Sequence, residues 1–263
     1  MSVPTLPVSL CVITRDEEQR LARCLASAPF AADIVVLDSG STDRTVALAQ
    51  AAGARTFVEP FRGHVAQKAR AVELARHDWV LCLDADEELS PELAAAVVRV
   101  LSAPRDAVAG YELARKTCYA GRFIEHGGWW PEWRLRLFDR RRGGWTGRDP
   151  HDRVEVAGGP VARLDGALFH YAYRDLEHHL DKVNRYTTTM AAGLAEHGKR
   201  FRWSDLLFRP LARFVRMYLL RRGFLDGGRG FLLATIGAFY VFLKYAKLWE
   251  RQRGTPHGTP RGK

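Results

Sequence analysis

Three uninterrupted apolar runs mark the first third of the chain: residues 8–14 (VSLCVIT), 34–37 (IVVL) and 79–83 (WVLCL). Each has strand length and lacks alternation, the pattern of strands buried on both faces. Helical periodicity fills the intervals over residues 18–28, 42–52 and 64–75. Strand and helix in turn predict an α/β fold with a mostly parallel central sheet. Ser90-Pro91-Glu92 opens a further helix to about residue 101, with Ser90 as N-cap and Pro91 at the first helical position. From residue 109 the pattern shortens. Strand candidates at 110–115, 133–138 and 161–169 alternate with Gly-rich turns, and helices are predicted over 175–197, 200–222 and 229–250. The expected organisation is one α/β domain over residues 1–198, a basic amphipathic helical segment over 199–250, and a disordered Gly/Pro tail over 251–263.

Composition narrows the class. Over 263 residues, 47% hydrophobic and 27% charged, the chain is ordinary for a globular protein. Cys11, Cys24, Cys82 and Cys118 form no CxxC or zinc spacing, and Cys11 and Cys82 fall inside apolar runs, so reduced core thiols are expected. The net charge of +10 is uneven. Residues 199–263 carry 15 Lys+Arg against 3 Asp+Glu, leaving 25 against 27 elsewhere. No basic and apolar leader is seen at residues 1–7, and the longest apolar stretch, 231–243, reads as too short to span a bilayer.

Acidic residues follow each apolar run: Asp16-Glu17-Glu18, then Asp38 to Asp43 in DSGSTD, then Asp84-Ala85-Asp86-Glu87. Asp and Ser at such places often only cap helices. Three on the carboxyl edge of one parallel sheet, where α/β proteins bind ligands, point to a site. Asp84 and Asp86 alternate in an extended segment and so present two carboxylates to one side. Without thiols or a His pair nearby, they suit a hard divalent cation, Mg²⁺ or Mn²⁺, bridging to substrate phosphates. Asp84 also suits a ribose hydroxyl.

CVITRDEE, IVVLDSGSTDRT and QKARAVELARHDWVLCLDADEEL together resemble glycosyltransferase family 2, which has the GT-A fold. The later segments GGWWPEWRLRLFDR, HDRVEV and LFHYAYRDLEHHLDKVNRYT resemble its lipopolysaccharide-core branch, notably glucosyltransferases. The resemblance implies an inverting, metal-dependent transfer of a hexose from a nucleotide sugar, UDP-linked, to a lipid-linked glycan. It places Thr14 and Glu17 in the nucleotide pocket, Asp38 on the base, Lys68 near the nucleotide or diphosphate, and Asp86 on the metal. The sequence departs from the family at Asp16, where Asn is usual, and at Ser39, where DDGS has Asp.

Transfer to a hydroxyl needs a base. Asp152, in Pro150-His151-Asp152-Arg153, resembles the His-Glu segment of the close branch with Asp in place of Glu; Asp149 and Glu155 are neighbouring alternatives, and a turn role is the plain reading. His170 is a candidate third metal ligand or leaving-group contact. Trp130 and Arg134 combine a flat ring with a forked cation, as an acceptor of phosphorylated sugars would need, whereas Trp133 is expected in the core. In the C-terminal segment, apolar Leu207, Phe208, Leu211, Phe214, Val215 and Tyr218 keep helical spacing beside an Arg209, Arg213, Arg216 row. That describes an interfacial helix on an anionic membrane surface, at the inner face of the cytoplasmic membrane; packing on the catalytic domain or on a second subunit, as in a homo-oligomer, is the plain reading, and a combination of partial packing with peripheral membrane contact is expected. Nucleic-acid binding is not expected, as no such motif accompanies the charge. A nucleotidyltransferase or a non-catalytic binding protein are the competing classes.

Overall fold

The computed structural model describes residues 4–103, 108–148 and 151–253. Its elements begin β1 (Leu6–Thr14), α1 (Leu21–Ala26), β2 (Ala31–Asp38), α2 (Thr45–Ala51), β3 (Arg55–Val58), α3 (His64–Glu73), β4 (Trp79–Asp84), β5 (Glu87–Leu89) and α4 (Pro91–Leu101). There follow β6 (Gly110–Tyr119), β7 (Arg122–Phe123), β8 (Glu132–Asp139), β9 (Gly143–Arg148), β10 (His151–Val156), β11 (Val161–Arg163) and β12 (Leu168–His170). Three helices close the chain: α5 (Leu176–Glu196), α6 (Trp203–Val215) and α7 (Gly227–Arg253). They divide into two compact units, one of residues 1–117 and 131–171, the other of 118–130 and 172–263.

The first unit is built on a sheet of order β3-β2-β1-β4-β8-β6-β12-β5, with β11 also on β6. β3, β2, β1 and β4 are parallel, as the apolar runs predict. Beyond β4 the sheet is mixed: β8 runs antiparallel to both β4 and β6, and β12 antiparallel to β5. Alternate residues of β1 enter different cores. Val8, Leu10 and Val12 pack with Leu21, Cys24 and Leu25 of α1 and Leu93, Ala96 and Val97 of α4. Cys11 packs on the other face with Val35, Cys82, Phe138 and Ala71 and Val72 of α3. Both faces are covered, which is why the runs show no polar alternation. The thiols of Cys11, Cys24 and Cys82 are buried and unpaired to disulfides, as expected. Trp133, expected in the core, is only partly buried, and the Arg163 guanidinium lies 4.5 Å from its ring centroid.

In the second unit, the end of β6 pairs with β7, and α7 packs against both α5 and α6. Asp175 caps α5 by accepting the His178 N–H at 2.7 Å. One small core joins Tyr119, Ile124, Met217, Leu233 and Ala234, another Ala191, Tyr245 and Leu248. α6 passes through a π-type turn at Arg216–Leu220 and a 3₁₀ turn at Gly223–Asp226 into α7. The run from Gly223 to Arg253 is 31 residues long and, by length and composition, apolar enough to cross a membrane. The 231–243 stretch thus lies within a longer helix, which its Gly, Thr and Tyr do not break. α7 also continues to Arg253, into the expected tail, of which residues 254–263 lie outside those described.

Candidate active site

The carboxyl ends of the parallel strands stand in line, because register pairs Thr14 with Asp38 and Ile13 with Asp84. Two of the three acidic segments fasten loops. Asp38 is fully buried, and its Oδ1 accepts from the backbone N–H groups of Gly40 and Ser41, both at 2.8 Å. Asp16, in a left-handed conformation with φ 53°, accepts from Thr42 N–H at 2.8 Å and donates its own N–H to Ser41 Oγ. The Glu17 and Glu18 N–H groups donate to Thr45 Oγ1 and Asp43, and the Glu17 carboxylate pairs with Arg20 at 3.3 Å. Thr14 Oγ1, by contrast, is buried without a hydrogen-bond partner.

The third segment is different in kind. Lys68 Nζ, from α3, contacts Asp84 Oδ1 at 2.7 Å and Asp152 Oδ2, from β10, at 2.8 Å. Arg136, a buried residue on β8, contacts Asp84 Oδ2 at 2.7 Å and Glu87 Oε1 at 2.8 Å. Glu87 is buried as well; its other oxygen accepts the Asp84 N–H at 3.0 Å, and Arg115 stands 3.5 Å away. The Trp145 ring on β9 lies 4.6 Å from Lys68 Nζ and 5.5 Å from the Arg136 guanidinium. Burial alone would raise the Asp84 carboxyl, but the Arg136 and Lys68 charges outweigh it and hold the group well below the usual carboxylate range. Asp152 is likewise lowered: burial opposes, and the Lys68 charge prevails. Burial works to lower Lys68, yet the Asp84 and Asp152 charges keep it raised and cationic.

Asp86 faces His170 across 3.6 Å, from carboxylate Oδ2 to ring Nε2, and both side chains are largely buried. The other ring nitrogen stands 3.3 Å from Thr117 Oγ1. When Nδ1 donates to Thr117, Nε2 turns a lone pair toward a carboxylate oxygen. Two acceptors so close fit a cation between them, and two ligands of a Mg²⁺- or Mn²⁺-like ion stand roughly 3 Å apart. Among the described residues no group of three His, Cys, Asp or Glu side chains could hold a metal. Two protein ligands suit a cation that takes its remaining ligands from water and phosphate.

The structure thus gathers Lys68, Asp84, Asp86, Asp152 and His170 in the first unit, with Thr14 and Asp38 on the adjoining strand ends. Arg134, on β8, is ion-paired to Glu132, and its Nε is buried without a partner. Trp130 belongs to the second unit and is partly buried. Asp149 lies outside the described residues, while Glu155 is exposed and pairs with Arg153. Sequence reasoning missed the roles of Arg136 and Arg115, and named Glu87 only as part of the acidic segment after the third apolar run. Arg134 and Arg136 in WRLRLF were a usable signal, since a charge inside an apolar strand is buried only when paired.

Residues 9–157 match the profile described as Glycosyl transferase family 2. The chain belongs to that family. It is 34% identical over 260 residues to the lipopolysaccharide core biosynthesis glycosyltransferase LpsC of Rhizobium meliloti, covering 95% of this chain and 94% of that protein. An uncharacterized glycosyltransferase of Rickettsia typhi is 32% identical over 92% of this chain and 87% of its own. Among solved structures, the mannosyltransferase PcManGT of Pyrobaculum calidifontis, in complex with GDP-Man and Mn²⁺, aligns with a TM-score of 0.54 at 15% identity, covering 94% of this chain and 88% of that one. At that identity the likeness is one of fold, and it bears out the α/β, GT-A-like architecture with added C-terminal helices. The family makes this glycosyltransferase an enzyme.

Proposed function

We propose that this family 2 glycosyltransferase moves a hexose from a nucleotide sugar to a lipopolysaccharide-core acceptor with inversion, at the inner face of the cytoplasmic membrane. The observation that carries the site is Lys68, which joins Asp84 of the Asp-x-Asp to Asp152 in one ion-paired chain beside Asp86 and His170. The end-to-end likeness to LpsC supports the acceptor class.

In this reading Asp152 accepts the proton of the acceptor hydroxyl as its oxygen bonds to the anomeric carbon. The bond from that carbon to the diphosphate breaks on the opposite side, and Lys68 stabilises the departing charge. Thr14, whose buried hydroxyl lacks a partner, would bond the nucleotide, with Glu17 and Asp38 beside it on the same edge. Asp86 and His170 would hold a divalent cation, which when bound neutralises phosphate charge. Arg134 is the proposed acceptor contact in the first unit. The donor is UDP-linked, and glucose is the first sugar to test.

The test is thermal stabilisation of the full-length protein by UDP-, GDP- and ADP-sugars, with and without Mn²⁺, followed by product analysis. Expected is a metal-dependent rise with one UDP-sugar, lost in Asp86→Ala, and release of nucleoside diphosphate on adding a core acceptor. Release of pyrophosphate, or no rise with any nucleotide, overturns it.

A further inference from the structure

Helix α6 packs Leu206 and Phe214 inward but carries a second apolar row that faces outward. Its apolar residues Trp203, Leu207, Phe208 and Leu211 are 58%, 61%, 67% and 60% exposed. Its one buried residue is an acid, Asp205. The Arg row leans instead on α7: Arg209 bonds Asp205 and its guanidinium stands 5.5 Å from the Tyr245 ring, while Arg213 Nε would lie 3.6 Å from a Cβ added at Gly237. The Arg row flanks the α7 side while its members stay exposed, Leu206 and Phe214 make the packed apolar contacts, and the row Trp203, Leu207, Phe208 and Leu211 is left outside. The turn after α6 continues that surface with Leu220 and Leu225, 74% and 55% exposed. Such a face in one unit exceeds the scattered apolar residues of an ordinary surface. Exposed cations stand at both ends, Arg200 and Arg202 before the helix, Arg221 and Arg222 after it.

We infer that this face of α6 and its following turn lies in the headgroup–acyl boundary of an anionic lipid bilayer. The inference deepens the membrane location proposed above by naming the surface. Charge decides the occupant. With 15 basic against 3 acidic residues over 199–263, two copies placed face to face would repel, whereas anionic headgroups complement the Arg clusters beside a buried apolar stripe. α7 is long and apolar enough to span by composition. Its Lys247, however, donates to Asn184 Oδ1 at 2.6 Å and to Thr187 and Thr188 of α5 at 2.8 Å, which ties its C-terminal part to α5, while Phe231, Leu232, Phe239 and Phe242 are 41–48% exposed.

The experiment is co-sedimentation of the full-length protein with phosphatidylcholine vesicles, alone or with roughly 30% phosphatidylglycerol, without donor or acceptor. The protein is expected to bind the anionic vesicles and to be released by salt. Leu207→Glu with Phe208→Glu should lower the bound fraction about tenfold or more, and Arg221→Glu with Arg222→Glu should do so to a similar degree. Leu207, Phe208 and Arg222 are exposed and Arg221 lies exposed over Gly128, so circular dichroism and the melting transition should be unchanged, and Arg200→Glu with Arg202→Glu serves as the second charge variant. Absence of vesicle binding overturns the inference. So does a dimer that Leu207→Glu with Phe208→Glu dissociates, which would make a second copy the occupant. Binding that survives salt and carbonate, as a spanning α7 would give, overturns it too. Nucleotide-sugar stabilisation is read separately, so failure of the surface and failure of the reaction are distinguishable.

Discussion

Lys68 is the residue on which the site turns, because one ammonium serves two carboxylates with different tasks. Asp84 has a second cation, Arg136; Asp152 leans on Lys68 at 2.8 Å. A base must be deprotonated to act, and Lys68 keeps Asp152 so to lower pH than an ordinary carboxylate. The acid limb of kcat/KM should therefore fall below the usual Asp range of about 4. In Lys68→Met burial acts on Asp152 with less opposition, so its pKa rises and the acid limb moves up, in addition to a lower plateau. A merely structural Lys68 would lower the plateau and leave the limb in place. Asp152→Asn should remove the limb and about 10²–10⁴ of the rate, the usual contribution of a general base.

Elements whose local chemistry was self-sufficient were legible, and α4 is the clearest. Ser90 Oγ accepts from Leu93 N–H at 3.2 Å, as the Ser-Pro-Glu start predicts. It also accepts from Ala167 N–H at 3.2 Å, a contact from the lead-in to β12 that no local pattern announces. Ser90→Ala should then cost about 1–2 kcal/mol in urea unfolding, the upper part of the range for a lost cap, because a second donor is orphaned. No change in midpoint would refute that double role. The parallel strands β1, β2 and β4 were readable because burial on both faces writes an apolar run. β3 (RTFV), β9 (GGWTGR) and β10 (HDRVEV) were not, since an edge strand and a two-stranded ribbon carry polar residues. The Asp-x-Asp and Asp152 stood out by motif and resemblance. Arg136 carried a local signal, a charge inside an apolar strand, but that Glu87 and Asp84 are its partners follows from the pairing of β8 with β4 and shows only in the assembled sheet.

At the scale of the first unit, the ion pairs form a chain that ties α3, β4, β5, β6, β8 and β10 together through Lys68, Asp84, Asp152, Arg136, Glu87, Arg115 and Glu132. Its carboxylates give that cohesion a definite dependence on pH. Asp84, Asp152 and Glu132 are each lowered: burial works to raise them, and the neighbouring cations prevail. In the unfolded chain Asp and Glu titrate near pH 4. A group lowered on folding binds its proton less readily in the native state, so its stabilisation is present above the unfolded value and is lost as pH falls through the folded one. Melting temperature should thus be flat from neutral pH to about 5 and decline below about 4. Asp84→Asn separates this chain from general acid effects. It should lower stability at pH 7 by about 3 kcal/mol, the lower part of the range for breaking a buried pair, because Arg136 keeps Glu87. It should also flatten the acid decline, since the carboxyl lowered furthest is already gone. Parallel curves for the two proteins, offset but equal in slope, would place the acid sensitivity elsewhere and reduce the Asp84 contacts to a local fastening of β4 to β8.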